Sequence, residues 1–252
     1  MSKINKVKIL ILAGGKGKRM QSDLPKVLAP LKGKPMIKHL LESIEKANIN
    51  DIDNNTGIIV GHKKELVIEE LGDKYEYIVQ NEQLGTGHAV MCANESCKNA
   101  DHILVLQGDM PLISENTVKN LVDKHLKENA KITFATTTLP DFEDWKKSFL
   151  SFGRILRKDG KVAGIKEYRD ANDEEKNIKE VNAGCYVFDA QWLWKNLEEI
   201  KNENSQKEYY ITDLFHIAAK NNEKIETVEI NPREALGANS KEELEILEGF
   251  SI

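Results

Sequence analysis

Cysteine is scarce in this 252-residue chain, and Cys92, Cys97 and Cys185 form an odd count with no C-x-x-C spacing. Neither a disulfide framework nor a cysteine zinc site is expected, so these residues read as small packing groups. Long apolar runs are missing as well. The stretch over residues 9–13 is far too short for a signal core or a membrane span, which makes a cytoplasmic protein with no membrane partner the expectation. Charge of one sign is also lacking: 36 basic residues face 41 acidic ones, a formal charge of −5 spread along the chain. Nothing in that pattern suggests a nucleic acid polymer as partner. The six histidines show no H-E-x-x-H spacing, and His39, His125 and His216 fall in amphipathic stretches as surface or core-edge residues. No repeat or low-complexity segment is present.

What is present is alternation. Short runs rich in Ile, Val, Leu or Tyr at residues 7–12, 57–60, 77–80 and 103–106 read as strands separated by helical periodicity, the pattern of βαβ units on a parallel sheet. Ile37, Leu40, Leu41 and Ile44 form one apolar stripe behind Pro35, and Ala89, Val90 and Ala93 another. A helix over residues 115–127 follows, with Ser114 as N-cap and Val118, Leu121, Val122 and Leu126 as its buried face. After Thr138, residues 153–157, an Asp159-Gly160 turn and residues 162–165 predict a hairpin. A strand at 181–188, a helix carrying Trp192, Trp194 and Leu197 as packing residues, a strand at 225–230 and a short final helix complete the chain. The charged stretch 170–180 reads as a solvated loop. This length suits one α/β domain, with a lobe inserted.

The strongest local feature is Leu12-Ala13-Gly14-Gly15-Lys16-Gly17-Lys18-Arg19-Met20, leaving the first strand with three glycines and three cations. Glycines let backbone N–H groups approach phosphate oxygens, and Lys and Arg neutralise their charge. A tight turn with solvated cations would use the same residues. The run is neither a G-K-[ST] phosphate loop nor a G-x-G-x-x-G dinucleotide fingerprint. Asp109 lies just beyond the carboxyl end of an apolar strand, where open α/β sheets bind ligands. One carboxylate and one amide oxygen, with waters and phosphates, would suit Mg²⁺ there. Glu167, at a strand end in a chain rich in Glu and Lys, reads from its residues alone as solvated.

The next segment is Leu24-Pro25-Lys26-Val27-Leu28, followed by Gly33-Lys34-Pro35-Met36. With the Gly-rich run, it resembles the signature of nucleotide-sugar pyrophosphorylases of the nucleotidyltransferase superfamily. Further matches are Gln83-Leu84-Gly85-Thr86-Gly87-His88-Ala89, Gly108-Asp109-Met110-Pro111-Leu112-Ile113, Gly153-Arg154-Ile155, Glu180-Val181-Asn182-Ala183-Gly184 and Glu208-Tyr209-Tyr210-Ile211-Thr212-Asp213. Together they resemble the uridylyltransferase domain of bacterial N-acetylglucosamine-1-phosphate uridylyltransferases, over residues 9–239.

That resemblance implies a Rossmann-like three-layer α/β/α nucleotidyltransferase fold, with a mostly parallel mixed sheet and a small inserted β-rich sugar-binding lobe. It implies one domain over 1–252, with a nucleotide-binding half at 1–112, a sugar-binding half at 113–239 and a short C-terminal helix at 240–252. The implied reaction joins UTP to N-acetylglucosamine 1-phosphate with Mg²⁺ as cofactor. Leu12, Ala13, Gly14 and Gly15 would meet base and ribose, and Gln80, Gly85 and Thr86 the pyrimidine edge, with Gln107 and Gly108 beside the nucleotide. Arg19, Lys26 and Asp109 would be catalytic, Lys26 lying near the α-phosphate and Arg19 on the leaving phosphates. Gly153, Glu167, Asn182, Tyr210 and Thr212 would line the sugar pocket, and Asp109 and Asn239 would hold the metal. Bifunctional members continue into an acetyltransferase domain that trimerises. With only residues to Ile252 following Asn239, neither that chemistry nor those contacts are expected, and monomer and dimer both remain open.

Two departures stand out: Ala13-Gly14-Gly15 where the family usually has A-A-G, and Gln107 where it usually has an aromatic. Arg169 and Ala183 stand where it more often has Lys and Thr. A glucose-1-phosphate or other sugar-1-phosphate uridylyl- or thymidylyltransferase is the close alternative, and a non-catalytic nucleotide-sugar sensor one of another class. A dinucleotide oxidoreductase is disfavoured by the absent glycine fingerprint.

Overall fold

The computed structural model describes residues 5–17, 20, 23–49 and 56–250. Strand β1 (Val7–Ala13) is almost wholly buried and apolar on both faces except for Lys8, whose buried ammonium donates to Glu76 Oε2 at 2.8 Å, as suits a central strand of a covered parallel sheet. It pairs in parallel with β4 (Gly57–Val60) on one side and β6 (His102–Gln107) on the other, and β5 (Glu76–Val79) extends the sheet beyond β4. A two-stranded ribbon, β2 (Pro30–Leu31) and β3 (Lys34–Pro35), lies outside this sheet. The four strands expected in the first half are therefore present, with ends shifted by at most one residue.

Beyond β6 the direction changes. β10 (Glu180–Asp189) runs antiparallel to both β6 and β7 (Ile132–Thr138), and β11 (Ile225–Glu229) pairs in parallel with β7 at the edge. The expected hairpin is β8 (Arg154–Lys158) with β9 (Lys161–Lys166), joined to the main sheet where Arg154 pairs with Val181. The sheet is thus mixed and mostly parallel, in the Rossmann-like manner. β10, from late in the chain, sits between strands of the middle.

Two apolar layers cover the sheet. On one face Val7, Ile9 and Ile11 meet α1 (Met36–Lys46) and α4 (Glu115–Glu128), with Val67 of α2 (Lys64–Leu71) and Leu247 of α8 (Lys241–Glu248). On the other, Leu10, Ile59 and Val105 meet α3 (Thr86–Met91), α6 (Ala190–Leu197) and α7 (Asp213–Lys220). The period-2 alternation of β1 feeds both layers. Each fully buried Ile, Leu or Val contributes roughly 1.5–3 kcal/mol. Cys97 and Cys185 are buried packing groups, and Trp192 and Trp194 pack α6 against the second layer. Among the described residues no helix is long and apolar enough to cross a membrane.

α4 begins as expected, with Ser114 Oγ accepting from the Thr117 N–H at 3.2 Å. Its buried face differs from the expected one. His125, seven residues after Val118, is fully buried, whereas Leu126 is only partly covered. His125 is therefore a core residue and not a core-edge one. Its ring sits 3.0 Å from Thr133 Oγ1 and 3.2 Å from His102 Nδ1, and burial beside a second imidazole lowers its pKa to about 3. His39 is also buried, with Nε2 3.0 Å from the Leu31 carbonyl oxygen. The charged stretch 170–180 carries a helical turn, α5 (Asp173–Lys176), closed by a reciprocal Asn172–Glu175 capping box.

Candidate functional site

The carboxyl ends of β1, β5 and β6 open into a cleft of about 440 Å³, the place where an open α/β sheet offers unpaired backbone groups to a ligand. Leu12, Ala13, Gly14, Gly15 and Lys16 form one wall. Gln80, Gln83, Gly85, Thr86 and Ala89 form another, and Gln107 and Asp109 lie at the end of β6. Of the ten residues predicted for a nucleotide, all but Gly108 line this cleft. Gly108 lies behind it, its N–H donating to the Leu12 carbonyl at 2.9 Å. Gln80 Nε2 donates to the Gly85 carbonyl at 3.2 Å, which turns the amide toward the Gly14 side of the cleft.

Lys26 enters on a 3-10 turn, Lys26–Leu28, whose Val27 and Leu28 are buried. Those two anchors leave the ammonium little choice of position. Nζ donates to Asp109 Oδ2 at 2.5 Å and to Asn239 Oδ1 at 2.8 Å. The three predicted residues therefore meet at one point although 83 and 213 positions separate Lys26 from its partners. The pair is mostly shielded, with side-chain exposures of 19% for Lys26 and 13% for Asp109, so its attraction is stronger than at an open surface. Gly237 permits this approach, because a Cβ there would meet the Asp109 carbonyl oxygen at 2.9 Å and Oδ2 at 3.1 Å. The backbone N–H of Asn239 is held by Glu243 Oε2 at 2.6 Å. Arg19, the other predicted catalytic cation, lies outside the described residues.

A smaller pocket of about 240 Å³ adjoins, lined by Glu167 and Tyr210 with Lys166, Asp170, Asp213 and His216 among others. Thr212 Oγ1 donates to Glu167 Oε1 at 2.7 Å, and the Asn182 N–H donates to the Gly153 carbonyl at 2.9 Å. Asn182 also donates from Nδ2 to the Tyr186 hydroxyl at 2.7 Å, while its Oδ1 accepts from the Gly184 N–H at 3.1 Å. Gly153 comes near Glu167, whose Oε1 would lie 3.5 Å from a Cβ on it. Of the five residues predicted for a sugar, Glu167 and Tyr210 line this pocket, whereas Gly153, Asn182 and Thr212 do not. Thr212 and Gly153 adjoin Glu167, and Asn182 adjoins Gly153, from the turn before β8, the segment after β9, β10 and the segment before α7. The solvated Glu167 expected from its residues alone is corrected here: burial raises its pKa, and the neighbouring carboxylates of Asp213, Asp170 and Glu208 push the same way against the Thr212 hydrogen bond. Burial raises the pKa of Asp213 and Glu208 too.

A strap of chain joins cleft and pocket. Gly87 N–H donates to the Tyr209 carbonyl at 2.8 Å, Tyr209 N–H to the Leu84 carbonyl at 2.7 Å, and Ile211 N–H to Thr86 Oγ1 at 3.2 Å. Gly85 accommodates it with φ +108°, and a Cβ there would fall 2.6 Å from the Tyr209 carbonyl oxygen. Gln107 bridges likewise, its Nε2 donating to the Gly184 carbonyl at 3.3 Å beside the irregularity in β10 that follows Asn182.

Gln83, Glu208, Val27 and Ala89 line the cleft without having been assigned to it. All four belong to the motifs quoted above, so the signal was present. Gly237 carried none, because its purpose appears only once Asp109 is placed beside it.

Residues 9–146 match the model of the MobA-like NTP transferase domain. Among curated proteins, the Bifunctional protein GlmU of Clostridium acetobutylicum is 40% identical over 238 residues, covering 93% of this chain and 50% of that protein. Its counterpart in Streptococcus agalactiae is 42% identical over 235 residues, covering 92% and 49%. The chain therefore spans about half the length of the curated relatives it matches. Among solved structures, a Bacillus anthracis protein described as a glucose-1-phosphate thymidylyltransferase, bound to a sucrose, superposes with a TM-score of 0.74 at 20% identity over 98% of this chain and 97% of the other. A UDP-glucose pyrophosphorylase complexed with UDP-glucose gives 0.75 at 19% identity over 97% of each chain. At such identities these structures establish the fold.

Proposed function

Because the chain belongs to the MobA-like NTP transferase domain family, we propose that it transfers a uridylyl group from UTP to a sugar 1-phosphate, N-acetylglucosamine 1-phosphate, releasing pyrophosphate. The observation that carries this reading is that Lys26 and Asp109, both lining a glycine-walled cleft, meet each other and Asn239 through the Lys26 ammonium. Likeness to the GlmU proteins at about 40% identity supports the choice of sugar and base.

A phosphate oxygen of the sugar 1-phosphate attacks the α-phosphorus of the nucleotide. The new O–P bond forms as the α–β bridging bond breaks, and its electron pair leaves on pyrophosphate. No proton must move, so the chain needs no nucleophile of its own. Its task is to position two anions and offset their repulsion. Glycine backbone from residues 14–15 takes the nucleotide, Gln80 faces the base edge, and Lys26 supplies positive charge at the α-phosphate. Glu167, Thr212 and Tyr210 present acceptor and donor groups to sugar hydroxyls.

Magnesium fits the donor set. Asp109 Oδ2 and Asn239 Oδ1 already share one cationic group, and both are hard oxygen ligands of the kind Mg²⁺ takes, one or two from protein and the rest from waters and phosphates. Among the described residues no group of three or more His, Cys, Asp or Glu side chains could hold a metal alone. When bound, the ion would neutralise phosphate charge and help order the triphosphate.

Glucose 1-phosphate with UTP or dTTP is the second reading, favoured by Gly14 and by Gln107, whose amide reaches the sugar-side strand. A pyrophosphate-release screen crossing four nucleoside triphosphates with hexose and N-acetylhexosamine 1-phosphates decides. UTP with N-acetylglucosamine 1-phosphate is expected to give the highest kcat/KM, with turnover lost to a chelator and restored by Mg²⁺. A glucose 1-phosphate maximum would select the second reading. Absence of release from every pair would leave a nucleotide-sugar sensor, against which the intact Lys26–Asp109 pair argues.

A further inference from the structure

Arg154 opens β8 with its side chain fully buried. A buried guanidinium ordinarily meets a carboxylate, because desolvating an uncompensated charge is costly. Among the described residues none pairs with it. Its N–H donors serve backbone carbonyls: Nε reaches Lys176 at 3.2 Å, Nη1 reaches Phe149 at 3.3 Å and also Phe152, and Nη2 reaches Leu150 at 3.2 Å. The Phe142 and Tyr168 rings lie 4.7 and 5.2 Å from its central carbon. Such a fork, with donors fixed in one plane, can satisfy several carbonyls at once, whereas lysine concentrates its donors on one atom.

The partners adjoin the sugar-side residues in sequence or in register. Gly153 immediately precedes Arg154, Tyr168 follows Glu167, and Arg154 pairs across the sheet with Val181, next to Asn182. Asn182 in turn donates its N–H to the Gly153 carbonyl at 2.9 Å. One buried cation therefore gathers the turn before β8, the segment after β9 and the end of α5.

We propose that Arg154 is a positioning residue for the sugar 1-phosphate, setting the spacing of Gly153, Glu167 and Asn182 without touching substrate. The inference rests on the sugar-side reading given above, and it predicts an asymmetry that general destabilisation would not produce. Arg154→Lys and Arg154→Met are to be assayed well below each variant's melting midpoint, varying each substrate in turn. The KM for N-acetylglucosamine 1-phosphate is expected to rise tenfold or more, with the KM for UTP within twofold of wild type. Hydrogen exchange of the same proteins should quicken at least tenfold over residues 142–153 and 167–182 and stay unchanged over 84–89. Both KM values rising together, neither rising, or exchange quickening equally in both regions overturns the proposal. Tyr168→Leu, which removes one flanking ring, should shift the same observables in the same sense and decides the matter if neither Arg154 variant folds. If the wild-type protein turns over no substrate pair, the proposed function fails instead, and the exchange pattern alone judges the role of Arg154.

Discussion

The cleft at the strand ends and the pocket beside it solve recognition by different means. The cleft presents glycine backbone, amides and the two cations Lys16 and Lys26, and much of its wall, from Leu12 to Lys16 and at Gln80, Gln107 and Asp109, lies at strand ends, so those groups are aimed by the sheet itself. The pocket presents side chains held by residues around it, Glu167 by Thr212 and Tyr210 by Gln206, and Asn182, outside its lining, is held likewise by Tyr186 and Gly184. A ligand of fixed charge and shape, such as a triphosphate, suits the first design. Hydroxyl and amide groups, which need matched donors and acceptors, require the second, and a network of that kind fails as a unit when one member is lost.

The sharpest way to break this contrast is at Lys26–Asp109. Asp109→Asn and Lys26→Ala are each expected to lower kcat by on the order of a hundredfold or more, because the electrostatic contribution is realised where charge develops. Circular dichroism should show the fold retained, and near-normal pyrophosphate release in either variant would remove these residues from the chemistry. Gly85→Ala tests whether the strap couples the two regions. Its φ of +108° and the 2.6 Å approach to the Tyr209 carbonyl predict a stability loss of about 1–3 kcal/mol. Both KM values should rise, and a rise confined to UTP would make the regions independent.

Glu167→Gln belongs to the pocket alone, with an expected KM increase of about tenfold for the sugar 1-phosphate, equivalent to about 1.4 kcal/mol, and none for UTP. Because burial raises the Glu167 pKa, its carboxylate is protonated at a higher pH than an exposed one. In the wild type the sugar KM should climb as pH falls through that raised value, and this dependence should vanish in the variant. The smallest effect on catalysis is expected at His125. Its pKa is about 3 in the native protein against about 6.5 for a freely solvated imidazole. Between those values the unfolded chain takes up a proton that the native state refuses, so this group's stabilisation is complete above about pH 6.5 and is lost toward pH 3, by up to about 1.4 kcal/mol per pH unit. Chemical denaturation from pH 7.5 to 4 should show a shallower decline for His125→Gln. An unchanged slope would mean the histidine titrates normally.

The β1 strand, the Ser114 cap and the hairpin turn at Asp159-Gly160 were legible because hydrophobic period, capping chemistry and turn residues act over a few neighbours. The cleft was legible from local sequence only in the glycine-rich exit from β1 and in Asp109 after β6, which lie at strand ends, whereas Gln80, Gly85, Thr86 and Lys26 were expected from the family resemblance alone. The burial of His125 in place of Leu126 was not, because the apolar stripe of α4 is wide enough to include either and only packing against Thr133 and His102 chooses between them. Nor was the partial burial of Glu167, for which a strand-end carboxylate gives no local sign.

By itself the amino-acid order determined the βα alternation, the glycine-rich exit from β1 and the identity of the charged groups. Tertiary structure alone decided that β10 enters antiparallel between β6 and β7, and that Lys26, Asp109 and Asn239 share one point across more than two hundred residues. The reason is range. Propensity and periodicity are local properties of the chain, whereas strand direction and the meeting of distant side chains depend on which apolar faces and backbone donors remain to be satisfied when the sheet assembles.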